Sequence, residues 1–102
     1  MNKSSNILDP QAVIALLQTQ MVKSRFGVKS LALFGSVARN QATEASDLDF
    51  IVDFEGTVTF DRYMDLKIFL EDLFDKKIDL ALEDSLKAQI RQKVFEEAIN
   101  VA

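Results

Sequence analysis

Neither cysteine nor histidine occurs anywhere in the 102 residues. Without cysteine there is no disulfide framework, which small secreted domains with thin cores usually need. Without histidine as well, the Ser-His, Cys-His and His-metal chemistries all fall away, leaving carboxylates, hydroxyls, lysine, arginine and the single tyrosine as working groups. No apolar run approaches the ~20 residues of a membrane-spanning helix, and the opening MNKSSNILDP has no apolar signal-peptide segment. Positive charge is in deficit, with 12 Lys and Arg against 16 Asp and Glu and a net charge of −4. Such a chain gains nothing from counterion release on a phosphate backbone unless its few cations cluster, so direct nucleic-acid binding is not expected. A cytoplasmic protein without membrane contact is the expectation.

The length suits one domain spanning residues 1–102, with room for a single core and none for a separate acceptor domain. Residues 1–8 read as a flexible polar leader. Asp9-Pro10 then places an N-cap ahead of proline at the first helical position, where its missing N–H costs nothing. Val13, Leu16, Leu17 and Met21 recur at helical spacing, which predicts one helix running up to Gly27. Val28 to Phe34 is short and apolar and predicts a buried strand, with Ser36 capping a brief helix through Val37, Ala38 and Arg39.

Beyond the polar stretch from Asn40 to Ser46, the segment Asp47 to Phe54 alternates. Leu48, Phe50 and Val52 fall on one face, Asp47 and Asp49 on the other. Gly56 and Thr57 mark a break. Phe60 to Phe74 predicts a helix whose apolar stripe is Tyr63, Leu66, Phe69, Leu70, Leu73 and Phe74. Phe60, Met64 and Ile68 lie outside that stripe, and the pattern leaves them as core or interface, with core favoured. Lys77 to Leu82 predicts a strand with Asp79 between Ile78 and Leu80, and a last helix is expected from about Ser85 to Ile99, capped by Asp84 or Ser85. The sum is an α/β fold with a small mixed sheet and helices packed on it.

Two half-motifs carry the chemistry. Gly35-Ser36 stands where a strand turns into a helix, so backbone can approach a phosphate closely and the first N–H groups of the helix can meet it. Asp47 and Asp49 project from one strand face and offer oxygen ligands of the kind Mg²⁺ prefers. Two such ions, about 3.5–4 Å apart, can clamp the attacking and leaving oxygens of an in-line displacement. Either half alone is commonplace, since Gly-Ser is often a helix cap and Asp-x-Asp a solvated strand face. Their conjunction points to a nucleotide-metal site of the kind that phosphoryl and nucleotidyl transfer need.

Gly35-Ser36-x-Ala38-Arg39 followed by Ser46-Asp47-x-Asp49 resembles the signature of the polymerase-beta-like nucleotidyltransferase superfamily, in particular its minimal nucleotidyltransferases, the MNT-domain proteins. The resemblance implies that fold, ATP as substrate and a Mg²⁺ site, with two ions, held by Asp47, Asp49 and a third carboxylate, for which Asp79 in KIDLAL is the matching position. It implies for Asp79 the further role of base towards the attacking hydroxyl. Gly35, Ser36 and Arg39 would hold the nucleotide, although Arg39 reads equally well as an ion-pair partner of Asp47 or Glu44. Asn40 departs from the glycine common in the family, and asparagine tolerates the left-handed region better than most residues.

Many minimal members pair with an all-helical HEPN protein as toxin and antitoxin, and some move AMP from ATP onto a tyrosine of that toxin. The resemblance therefore implies a HEPN-type toxin partner and an antitoxin role. Two other readings remain open: a binding antitoxin that merely covers its helical partner, and transfer to a small-molecule acceptor. A homo-oligomer is compatible with the sequence. Among the remaining polar residues, Asp53 reads as solvated, Lys87, Arg91 and Lys93 as a wet helix face, and Tyr63 as core or interface.

Overall fold

The computed structural model describes residues 9–38 and 47–101. The chain opens with α1 (Pro10–Thr19), capped by Asp9, whose Oδ1 accepts from the Gln11 N–H at 3.0 Å. The single helix expected up to Gly27 is in fact two. Thr19 Oγ1 donates to the Leu16 carbonyl, Met21 takes a left-handed conformation with φ 53°, and α2 (Val22–Phe26) begins anew. An unbroken helix would carry the buried stripe from Leu17 to Met21, four residues on. The break shifts the phase by one residue, burying Val22 and leaving Met21 66% exposed. Gly27 closes α2 at φ 64°, a conformation that costs glycine nothing.

Strand β1 (Val28–Phe34) follows and runs straight into α3 (Gly35–Ala38), so Ser36 lies within that short helix rather than ahead of it as a cap. Strand β2 (Leu48–Phe54) returns antiparallel to β1, starting one residue later than the alternation suggested. Thr59 caps α4 (Phe60–Phe74) by accepting from the Arg62 N–H, and Asp75 ends it in the left-handed region. Because α4 carries the chain back along the sheet, β3 (Ile78–Leu82) can pair parallel to β2. A 3₁₀ turn (Glu83–Ser85) leads to α5 (Ala88–Glu97), where a single longer helix was expected.

That last helix stops early because Ala98 turns to extended backbone, allowing β4 (Ile99–Asn100) to pair antiparallel with β1 at Ala32 and Leu33. The sheet order is β3-β2-β1-β4. Val101 extends the pairing through its N–H to the Leu31 carbonyl at 2.8 Å and is itself buried.

One face of the sheet meets the helices. Leu31, Leu33, Leu48, Phe50, Val52, Ile78 and Leu80 bury against Val13, Leu17 and Val22 and against Leu66, Leu70 and Phe74 of α4. The rings of Phe50 and Phe74 stack with centroids 6.2 Å apart. The alternation read for β2 is therefore the one observed, and it leaves Asp49 and Asp53 on the second face, each half-buried. Phe60 and Ile68 belong to the surface instead of the core, at 76% and 48% exposed. The stripe of α4 already fills the space above the sheet without them.

Candidate active site

Antiparallel pairing brings the end of β1 beside the start of β2, so the two half-motifs, separated in sequence by an intervening stretch, meet in space: Phe34 is the register partner of Asp49. Gly35 follows at once, with φ 77°. A Cβ built there would come within 3.0 Å of the Asp49 Cγ and closer still to its Oδ2. Glycine is thus required twice over, once by the backbone conformation and once because the Asp49 carboxylate occupies the place of a side chain.

Parallel pairing supplies the second carboxylate. Asp49 and Asp79 are direct register partners across β2 and β3, on strands whose spacing is about 4.7–4.9 Å. Each is anchored by buried neighbours, Leu48 and Phe50 for Asp49 and Ile78 and Leu80 for Asp79. Asp49 is half-buried and Asp79 exposed, so both carboxylates open towards solvent from rigid backbone. Asp47 is half-buried just ahead of β2. Arg39 lies outside the described residues, as do Asn40, Glu44, Ser46 and the leader; of Ser36 only the backbone position is described.

Carboxylate oxygens at the Asp49–Asp79 pair suit a hard divalent cation such as Mg²⁺. Among the described residues no three acidic side chains gather into a metal cluster, so Asp47 is not drawn together with the other two. Mg²⁺ commonly takes only one or two protein carboxylates and completes its octahedron with water and substrate phosphates. The donor set and the close approach at Gly35 therefore fit an ion that arrives with a nucleotide.

Helix α4 frames the site from the side of β3. Tyr63 Oη donates to the Leu80 carbonyl at 2.5 Å, fixing the helix to the strand that carries Asp79. One turn on, Lys67 Nζ lies 2.9 Å from Glu71 Oε2. This hydrogen bond above all raises the Lys67 pKa above its ordinary value; desolvation opposes it, and the charges of Glu71, Tyr63 and Asp79 add to the rise. Lys67 is thus a cation beside the carboxylates that sequence reading missed; its only signal was the i, i+4 spacing from Tyr63 and to Glu71. Arg62, also missed, works at the other end of the strands. Its guanidinium donates to the carbonyls of Glu55, Thr57 and Gly27 and lies over the Phe54 ring, 4.9 Å from its centroid.

Comparison with known proteins agrees with this geometry. Residues 18–101 match the family of the nucleotidyltransferase domain. The protein adenylyltransferase MntA of Thermococcus cleftensis is 38% identical over 80 residues, covering 78% of this chain and 81% of that protein. A solved structure described as a minimal nucleotidyltransferase superposes with a TM-score of 0.77 at 36% identity, over 89% of this chain and 94% of that one. A chain of the complex between the tri-AMPylated Shewanella oneidensis HEPN toxin and its MNT antitoxin shares the fold, with a TM-score of 0.59 at 20% identity over 99% of this chain and 72% of that one. A sheet that sets Asp49 against Asp79 under a glycine turn, in a chain so matched, identifies a member of the nucleotidyltransferase domain family, a minimal nucleotidyltransferase of the polymerase-beta-like fold.

Proposed function

We propose that this enzyme is a Mg²⁺-dependent protein adenylyltransferase that moves AMP from ATP to a tyrosine hydroxyl of a HEPN-type helical toxin and so acts as its antitoxin in the cytoplasm. The observation that carries the proposal is the register pairing of Asp49 with Asp79 beside Gly35. Protein adenylyltransferase is the activity of a relative 38% identical to this chain, and the AMPylated toxin of the Shewanella complex points to the class of acceptor.

The reaction asks little covalent work of the protein. The acceptor oxygen attacks the α-phosphorus of ATP, the bond from that phosphorus to the bridging oxygen breaks, and pyrophosphate leaves. Asp79, the more exposed carboxylate, takes the hydroxyl proton and passes it to solvent. Asp49 and Asp79 would hold Mg²⁺, with Asp47 joining them only when the ion binds, and the ion would supply charge neutralisation on the phosphate oxygens. Gly35 and Ser36 admit the terminal phosphates to the backbone at the start of α3, with Arg39 as a further phosphate ligand.

The decisive test uses α-labelled ATP, Mg²⁺ and lysate of the host. Label should pass to a small helical protein and vanish with Asp49→Asn, whose fold should persist because the residue is not part of the buried core. Turnover like the wild type's by that variant at saturating Mg²⁺ would sink the assignment. A non-catalytic covering antitoxin is the second reading, favoured by the exposed Phe60 and Ile68. It requires full suppression of toxicity by the triple variant Asp47→Asn, Asp49→Asn, Asp79→Asn.

A further inference from the structure

We propose that the outer face of α4, the side turned away from the sheet, is a docking surface for a basic amphipathic helix of the partner protein. The inference deepens the partner half of the function proposed above and rests on it.

The side of α4 turned away from Leu66, Leu70 and Phe74 carries two parallel rows. Phe60, Met64 and Ile68 repeat every four residues and form an apolar row, with Phe60 76% and Ile68 48% exposed, Met64 half-buried, and Val58 exposed just ahead of the helix. Asp61, Asp65 and Asp72, all exposed, form an acidic row beside it at spacings of four and seven. The core above the sheet is complete without either row.

The acidic row is poorly placed for an isolated helix. Asp61 and Asp65 are like charges one turn apart, which repel. Asp72 stands in the last turn, where the helix dipole favours cations and α4 has none. The one ion pair among the described residues of α4 joins Lys67 to Glu71 and leaves this row aside. An apolar ridge edged by three carboxylates is matched by a helix with an apolar row edged by Lys or Arg, in the manner of helix-in-groove recognition. Anionic lipid and nucleic acid carry the wrong charge for it.

The helix that carries the two rows is also held in place. Tyr63 ties α4 to the Leu80 carbonyl, next to Asp79. The helix is 15 residues long, about 22 Å at 1.5 Å per residue, which seats a partner helix of about four turns.

The probe is a fluorescein-labelled Leu/Lys amphipathic peptide of about 18 residues, long enough to be helical when bound, titrated into the full chain by anisotropy, with a Leu/Glu peptide as counterpart. The wild type should bind the basic peptide only. The double variant Phe60→Ser, Ile68→Ser should weaken binding by about tenfold or more, and Asp61→Asn, Asp65→Asn, Asp72→Asn should remove its salt dependence. Glu96→Gln, Glu97→Gln, neutralised on α5 instead, should stay within about twofold. Amide shift changes should be confined to residues 58–72. Equal weakening by the α5 variant, shift changes elsewhere, or self-association competing with the peptide would overturn the proposal, the last by showing that a second copy occupies the face. Circular dichroism of each variant checks that it is folded. Asp49→Asn should bind the peptide as the wild type does. Peptide binding at α4 without AMP transfer would therefore refute the catalytic reading alone, and transfer without peptide binding would refute the docking face alone.

Discussion

Replacing Gly35 by alanine should damage catalysis far more than stability, and Gly56 supplies the control. Both glycines have a positive φ, 77° and 72°. Placing an L-residue in the left-handed region costs about 1–2 kcal/mol, which for a domain of this size lowers Tm by roughly 4–16 °C. Around Gly56 nothing lies within 4 Å of an added Cβ, so Gly56→Ala should show that backbone cost and no more. At Gly35 the added Cβ would stand 3.0 Å from Asp49 Cγ and 3.2 Å from its Cβ. Taking ~3.5–4.0 Å as a comfortable carbon separation, the carboxylate carbon must retreat by about 0.5–1 Å, and Oδ2, which lies closer, by more. A misplacement on that scale costs on the order of 10²-fold in rate, about 2.7 kcal/mol of transition-state stabilisation. The assay is transfer of labelled AMP by each variant at saturating ATP, with melting curves recorded on the same preparations. Gly35→Ala retaining transfer within a few-fold, with a melting shift like that of Gly56→Ala, would show that the glycine serves only the turn and that the placement of Asp49 does not limit the chemistry.

Arg62→Lys should destabilise the fold by about 1–3 kcal/mol, because a lysine cannot satisfy the carbonyls of Glu55, Thr57 and Gly27 with one planar fork; a urea midpoint unchanged from wild type would remove its role as a staple. Helix α5 should exchange its amides much faster than α4. It is ten residues long, its N-cap Lys87 makes no side-chain cap, Glu96 and Glu97 oppose the dipole at its end, and none of its described side chains is buried. Protection factors in α5 equal to those of Leu66 and Leu70 would contradict that reading.

The strands and α4 were legible because their signals are local. Alternation in β2 and the bounds of β1 and α4 follow from which residues are apolar, and burial agrees at Leu48, Phe50 and Val52. The errors fall where tertiary context decides. The kink at Met21 is invisible to periodicity, since Leu17 and Met21 fit one helix; burying Val22 is a demand of the sheet beneath. The two-residue β4 is too short to alternate, and only the free edge of β1 gives Ile99 and Asn100 a reason to leave the helix. Arg91 was read as wet, yet its Nη2 donates to the Glu83 carbonyl and its Nε is buried, because the 3₁₀ turn folds back over it.

The sequence offers the candidate site as a list of residues and not as an arrangement, and the difference is strand pairing. Sequence can place Asp47 and Asp49 on one face by alternation, but the neighbour of Asp49 is chosen by which strands pair and in which register. The antiparallel return from β1 brings Gly35 onto the Asp49 carboxylate, and the parallel crossover through α4 sets Asp79 opposite it. A shift of β3 by one residue would turn Asp79 into the core and Ile78 out to solvent. The buried Ile78 and Leu80 forbid that slip, and Tyr63 adds a hydrogen bond to Leu80 that depends on the same register. The apolar residues around Asp79 therefore shape the candidate site without entering it: they hold the strand in the one register that sets the two carboxylates side by side.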